Sequence, residues 1–146
     1  MSPIDRAVLA ERALALERHL ARVAEKLPED AAALVASSDA SDAVVLHLWQ
    51  ATQLVIDLAV SVCVARGAGT PQSYADAFRR LQAAGLIDGA LADRLVRAAG
   101  FRNLVAHAYD RLDMTRVYQA ARTGPADLRA FVATIARTAP RETPSA

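Results

Sequence analysis

From Ser41 to Arg66 the chain is predominantly apolar, and Val44, Leu48, Val55, Leu58 and Val62 recur on one broad face. Apolar positions at steps of three, four and seven follow the helical period, not the two-residue period of a strand. The flanking faces are apolar too, which predicts a helix at the centre of the molecule, touched from several sides. Gly67 supplies its C-terminal stop. The polar break Ser37-Ser38-Asp39-Ala40-Ser41-Asp42 supplies candidate N-caps. The longest apolar run, around residues 54 to 65, contains Asp57 and is too short to span a bilayer.

The remaining segments must be what packs around that helix. Ser2-Pro3-Ile4-Asp5 resembles a capping box with Pro at the first helical position. Leu9, Leu16, Leu20, Val23 and Leu27 then mark an amphipathic helix ending near Leu27-Pro28. Residues 29 to 36 predict a short Ala-rich helix. Ser73 caps a helix over Tyr74 to Ala84, which Gly85 ends, and Asp88 caps the next. Asp113 opens a fifth helix to about Arg122, Thr123-Gly124-Pro125 breaks it, and Pro125 opens a sixth through Leu128, Phe131 and Ile135. No segment alternates like a strand, and no fixed-period repeat suggests a solenoid. The expectation is an all-α, single-domain antiparallel bundle of five to six helices over residues 1–139, with a flexible tail over 140–146.

Composition narrows the function classes only a little. A chain of 146 residues with formal net charge +1 has no whole-molecule field to attract a polyanion. Lys26 is its only Lys, a bias that with abundant Ala reflects a GC-rich genome before it reflects phosphate binding. Cys63 is alone, so neither an intrachain disulfide nor a Cys-based zinc site can form, and it reads as a small buried hydrophobe. No basic n-region precedes an apolar core at the N-terminus, so a cytoplasmic location is the default. His19 falls on the charged first helix and reads as solvated. His47, Trp49 and Phe78 read as packing residues, because one His makes no metal site and the aromatics do not cluster as a base-stacking platform.

Chemistry concentrates in Arg102-Asn-Leu-Val-Ala-His107-Ala-Tyr109. An Arg can hold a phosphate, a His can move protons near neutral pH, and a Tyr hydroxyl can donate, accept or be modified. The local charge agrees: between residues 94 and 122, Arg94, Arg97, Arg102, Arg111, Arg116 and Arg122 oppose only Asp110 and Asp113, a local net of +4. On a straight helix Tyr109 returns to within ~20° of Arg102, but His107 lies ~140° away. Either the helix breaks near His107, with Gly100 upstream and Asp110 and Asp113 downstream to help, or the site combines residues from two chains.

The spacing Arg102-Asn103-x3-His107-x-Tyr109 resembles the Arg-x4-6-His signature of HEPN domains, and in its fuller form is similar to HepT-like toxins. Gln53-Leu-Val-Ile-Asp57-Leu-Ala resembles that family's central helix. Pro71-Gln-Ser-Tyr74-Ala-Asp-Ala-Phe78, with Leu81 and Gly85-Leu-Ile, resembles the segment after it, and residues 128 to 135 the last helix. The resemblance covers roughly residues 42 to 136; the Ala-rich stretch from 29 to 41 departs from it.

The resemblance implies a helical fold that dimerises, bringing two motifs to one cleft. It implies a metal-independent endoribonuclease with no cofactor of its own, acting on RNA as the toxin of a toxin–antitoxin pair. Arg102 and His107 would be its catalytic residues; Asn103 by its amide, which can equally cap a helix end, and Arg97 and Arg111 by the local positive charge, are candidate substrate contacts. It also implies a minimal nucleotidyltransferase (MntA-like) antitoxin that uses ATP to place AMP on Tyr109, adding bulk and negative charge that oppose RNA binding. The residues alone leave plainer readings open. An Arg, a His and a Tyr at a helix break can simply cap carbonyls, and a HEPN fold can serve as a non-catalytic nucleotide-binding module paired with a nucleotidyltransferase. Asp57 reads equally as the partner of an Arg near the site or as a buried structural acid.

Overall fold

A computed structural model describes residues 6–138. Five α-helices fold around one another: α1 (Arg6–Lys26), α2 (Asp39–Ala65), α3 (Tyr74–Ala83), α4 (Gly89–Ala108) and α5 (Met114–Thr138). Two 3-10 turns, Ala31–Ala33 and Tyr109–Arg111, interrupt the connections. The expected capping box at residues 2 to 5 and the expected tail lie outside the described residues.

α2 is central, with α1, α3, α4 and α5 all packed on it. It is also long and apolar enough to cross a membrane by composition alone, yet half of its most apolar stretch is buried against the other helices. Its start is set by Ser38, whose hydroxyl accepts from the Ser41 amide while Ser41 Oγ accepts from the Ser38 amide. That reciprocal box begins the helix a few residues before the expected Ser41. Its end is a Schellman turn: Gly67 sits at φ +70°, and the Ala68 amide reaches back to the Cys63 carbonyl at 2.8 Å. Gly85 at φ +76° ends α3 in the same way, as the sequence predicts.

Cross-helix contacts give the helix directions. Gln53 meets Arg102 and Asp42 meets Tyr109, so α2 and α4 run antiparallel. Arg79 meets Asp93 and Arg94 meets Asp127, so α3–α4 and α4–α5 each fold back.

Two expectations are corrected. Residues 29 to 36 form only the Ala31–Ala33 turn, capped by the Asp30 side chain. None of those three alanines is buried, so a longer helix would gain no apolar contact; Leu34, 3% exposed, anchors the segment instead. The predicted break at Thr123-Gly124-Pro125 is absent, and α5 runs unbroken with Pro125 inside it. Pro in a helix interior costs about 3 kcal/mol. Val117, Ala121, Leu128, Phe131, Val132 and Ile135 hold one buried stripe across it. At roughly 1.5–3 kcal/mol for each large buried side chain, the stripe outweighs the missing hydrogen bond.

The interior divides in two. The larger core joins Leu16 and Leu20 of α1, the second half of α2, Phe78 and Leu81 of α3, Leu91 and Leu95 of α4, and Leu128 to Ile135 of α5. The smaller one gathers Val23, Leu34, Val44, Val45, Leu48, Val105, Val117 and Ala121, and half-buried Trp49, Phe101 and Tyr118 rim it. Cys63 is fully buried, and burial pushes its thiol pKa up, as suits a packing residue. His19 departs from its expected solvated place: it is half-buried, and its Nδ1 lies 3.1 Å from Nδ1 of His47 across α1 and α2.

Candidate active site

Arg102 emerges from α4 beside the smaller core, between α2 and the start of α3. Its guanidinium carbon lies 5.4 Å from the centre of the Trp49 ring and 5.1 Å from that of Tyr74. Nε donates to Gln53 Oε1 at 2.6 Å, and one terminal nitrogen donates to Asn103 Oδ1 at 3.2 Å. Gln53 Nε2 donates in turn to Asp57 at 2.8 Å. Two aromatic faces and two amide oxygens thus fix the cation, and none of the described carboxylates is bonded to it. A guanidinium held without a neutralising partner keeps its charge for a phosphate. Asp57 follows neither sequence reading: it is exposed, and it reaches Arg102 only through the Gln53 amide.

His107 stands in the last turn of α4, exposed, its imidazole without a hydrogen bond to any other described residue. Helix α4 passes through exposed Gly100 and stays helical to Ala108, where φ −143° and ψ 38° end it. The break therefore comes after His107, so Arg102 and His107 remain about 140° apart around one regular helix. Within one chain the two are not brought together.

Tyr109, just past the break, faces α2 as Arg102 does. Its hydroxyl donates to Asp42 Oδ1, 2.7 Å away in the first turn of α2. That hydrogen bond, together with partial burial and the carboxylate's charge, pushes the phenol pKa up. The ring is 50% exposed and edges a groove of about 390 Å³ between α2 and α4, lined by Asp42, Val45, Leu46, Trp49, Val105 and Ala106. Downstream, the Thr115 amide donates to Asp113 Oδ1 at 2.9 Å, so Asp113 caps α5 as expected.

The outlying candidates spread apart. Asn103 joins Arg102 directly. Arg97 is exposed on another side of α4, at the mouth of a cavity of about 380 Å³ that Phe101, Leu48 and Leu128 also line. Arg111 is exposed in the turn after Tyr109. Neither cation has a partner among the described residues, and neither contacts Arg102.

The motif alone does not point to Asp42, Trp49, Gln53 or Tyr74. A signal exists nonetheless. Asp42, Leu46, Trp49, Gln53 and Asp57 follow i, i+4, i+7, i+11 and i+15, a single stripe with three polar members on a helix otherwise built for burial. Trp49, read as a packing residue, both packs on the smaller core and forms one face of the Arg102 seat. Phe78 is the pure packing residue, edge-on to Phe131 with ring centres 5.7 Å apart.

Comparison with known proteins places this arrangement. The family model described as ribonuclease HepT-like matches residues 16–135. The mRNA nuclease HepT of Shewanella oneidensis is 31% identical over 91 residues, which cover 62% of this chain and 68% of the relative. A solved tri-AMPylated Shewanella oneidensis HEPN toxin, in complex with MNT antitoxin, has the same fold at a TM-score of 0.80 and 23% identity, with 90% of this chain and 98% of that one aligned. YutE, a cytosolic protein of Bacillus subtilis, aligns at a TM-score of 0.77 with 18% identity over 94% and 92% of the two chains. With the family model spanning most of its length and the Arg-x4-His-x-Tyr motif on the expected helix end, the chain belongs to the HepT-like ribonuclease family.

Proposed function

We propose that this chain is the toxin of a toxin–antitoxin pair, a metal-independent endoribonuclease that cuts RNA with Arg102 and His107. AMP transferred from ATP to Tyr109 by a partner nucleotidyltransferase silences it. The observation that carries the reading is the Arg102 seat: a cation fixed by Trp49, Tyr74, Gln53 and Asn103, yet bonded to no carboxylate among the described residues. Family membership, the nuclease named in Shewanella oneidensis and the AMPylated toxin–antitoxin complex support it.

In the proposed reaction the RNA 2′-oxygen attacks the adjacent phosphorus, and the bond to the 5′-oxygen breaks. His107 moves the proton at one of those oxygens, and Arg102 steadies the charge on the phosphorane. Because one helix aims these side chains apart, the working site takes Arg102 from one copy and His107 from a second copy of a homodimer. Exposed Arg97, Arg111 and Asn103 guide the RNA backbone toward it. AMP on Tyr109 adds a phosphate and a base at the groove between α2 and α4 and repels the RNA phosphates. Ribonuclease, nucleotidyltransferase and ATP all meet in the cytoplasm.

Purified protein should cut RNA, and Arg102→Ala and His107→Ala should each abolish cutting. Incubation with ATP and the nucleotidyltransferase should add AMP mass to the wild type but not to Tyr109→Phe. RNA left equally intact by the wild type and both variants would overturn the nuclease reading. AMP gained equally by Tyr109→Phe would overturn the modification reading.

A further inference from the structure

The phenol oxygen of Tyr109 has one hydrogen-bond partner among the described residues, and that partner is a carboxylate. Asp42 Oδ1 sits 2.7 Å from it, on a different helix and 67 positions away in sequence. The contact is exposed, so an incoming nucleotide can reach it, and the apolar groove of Val45, Leu46, Trp49 and Val105 opens beside it. Asp42 lies in the first turn of α2, and its other carboxylate oxygen has no partner among the described residues. His107, the other group nearby in sequence that could take a proton, makes no bond to Tyr109. Asp110 and Arg111, its neighbours in the turn, make none either.

A neutral phenol is a poor nucleophile and must lose its proton as its oxygen bonds to phosphorus. We propose that Asp42 is the general base for nucleotidyl transfer to Tyr109: the toxin supplies part of the catalytic machinery for its own silencing. The proposal rests on reading Tyr109 as the AMP acceptor. In the step, the Tyr109 oxygen bonds to the α-phosphorus of ATP and the bond from that phosphorus to the bridging oxygen breaks. Pyrophosphate leaves with the electron pair, and the phenol proton passes to the Asp42 carboxylate. The nucleotidyltransferase supplies ATP and the grip on the departing pyrophosphate. Before transfer, the same hydrogen bond fixes the phenol oxygen at the edge of the groove.

The test measures AMP transfer by intact mass, with full-length toxin, the nucleotidyltransferase and ATP. Asp42→Asn keeps an acceptor oxygen for the phenol but cannot hold its proton. It should slow transfer by about 100-fold or more, within the range of a general base. Its rate should climb with pH as the phenol ionises unaided, while the wild type stays flat near neutrality. Asp42→Glu should recover part of the rate, and the KM for ATP should stay within about twofold in both variants, since the base acts in the chemical step. Transfer to Asp42→Asn at the wild-type rate would overturn the proposal. A slow Asp42→Asn whose pH profile parallels the wild type would also overturn it, because Asp42 would then only position the ring. If the wild type itself gains no AMP on Tyr109, the modification reading falls first and the Asp42 assignment with it.

Discussion

The two cores of this bundle are built for different ends. The larger closes on itself: Phe78 and Phe131 meet edge to face at 1% and 0% exposure, and leucines fill around them. The smaller is made mostly of valines, and its edge is a ring of half-buried aromatics that carry polar partners. Trp49 supports Arg102, and the Tyr118 hydroxyl donates to the Glu29 carbonyl at 2.6 Å. The site stands at that second edge, where helix ends, a 3-10 turn and partly exposed rings meet. One end of the bundle provides the rigidity that lets the other leave a cation without a carboxylate among the described residues and a helix end exposed.

Breaking the first core should cost stability and leave the chemistry of the folded molecules alone. Phe131→Ala should lose about 3–5 kcal/mol, the usual cost of an emptied aromatic site. In a thermal melt the midpoint should fall by roughly 6–20 °C for a domain of this size, with RNA cleavage per folded molecule unchanged. Breaking the second edge should do the reverse. Trp49→Leu removes an aromatic face from Arg102 while keeping an apolar side chain on the core. Its kcat/KM on RNA should drop by about 10- to 100-fold, the scale of a misplaced catalytic group. The melt should move far less than for Phe131→Ala. Equal melting losses in the two variants would erase the distinction between the cores.

The seam between the regions offers a gentler probe. Pro125 interrupts the hydrogen-bond ladder of α5 between the stripe residues of the smaller core and those of the larger. Pro125→Ala restores the missing amide, so it should stabilise by about 1–3 kcal/mol, up to the interior cost of Pro. A lower melting midpoint would mean that the ring supplies packing which outweighs the bond.

The smallest expected effect is one of pH. Burial first, then His47 and Arg18, hold the His19 pKa below its usual value. The folded state therefore resists a proton that the unfolded chain accepts. The stability that neutral His19 contributes is complete above the ordinary histidine value of about 6.5 and drains away as pH falls below it. Melts at successive pH values should show that loss in the wild type and less of it in His19→Gln. An unchanged slope in the variant would assign the acid sensitivity elsewhere.

The sequence made the bundle legible because its helix ends carry local chemistry. Ser73, Asp88 and Asp113 cap, Gly67 and Gly85 stop, and each acts within a few residues of itself. It misled at Pro125 and in the Ala-rich connector, where tertiary burial, present in one and missing in the other, overrides local propensity. The motif residues were equally visible, and their angles on a helix already set His107 apart from Arg102. Their partners were hidden by distance along the chain: Gln53 lies 49 positions from Arg102, and Asp42 lies 67 from Tyr109. Only the packing of α4 on α2 makes them neighbours.

The separation of Arg102 and His107 on one regular helix leads to the central claim, that two copies complete each site. Mixing Arg102→Ala with His107→Ala protein, each inactive alone, tests it most directly. After subunit exchange, half of the molecules carry one variant of each kind, and in every such pair one site regains both side chains. RNA cleavage should return to about a quarter of the wild-type rate, as two-fold symmetry requires. A mixture as inactive as its parents, with exchange shown by mass, would contradict a site shared between two copies.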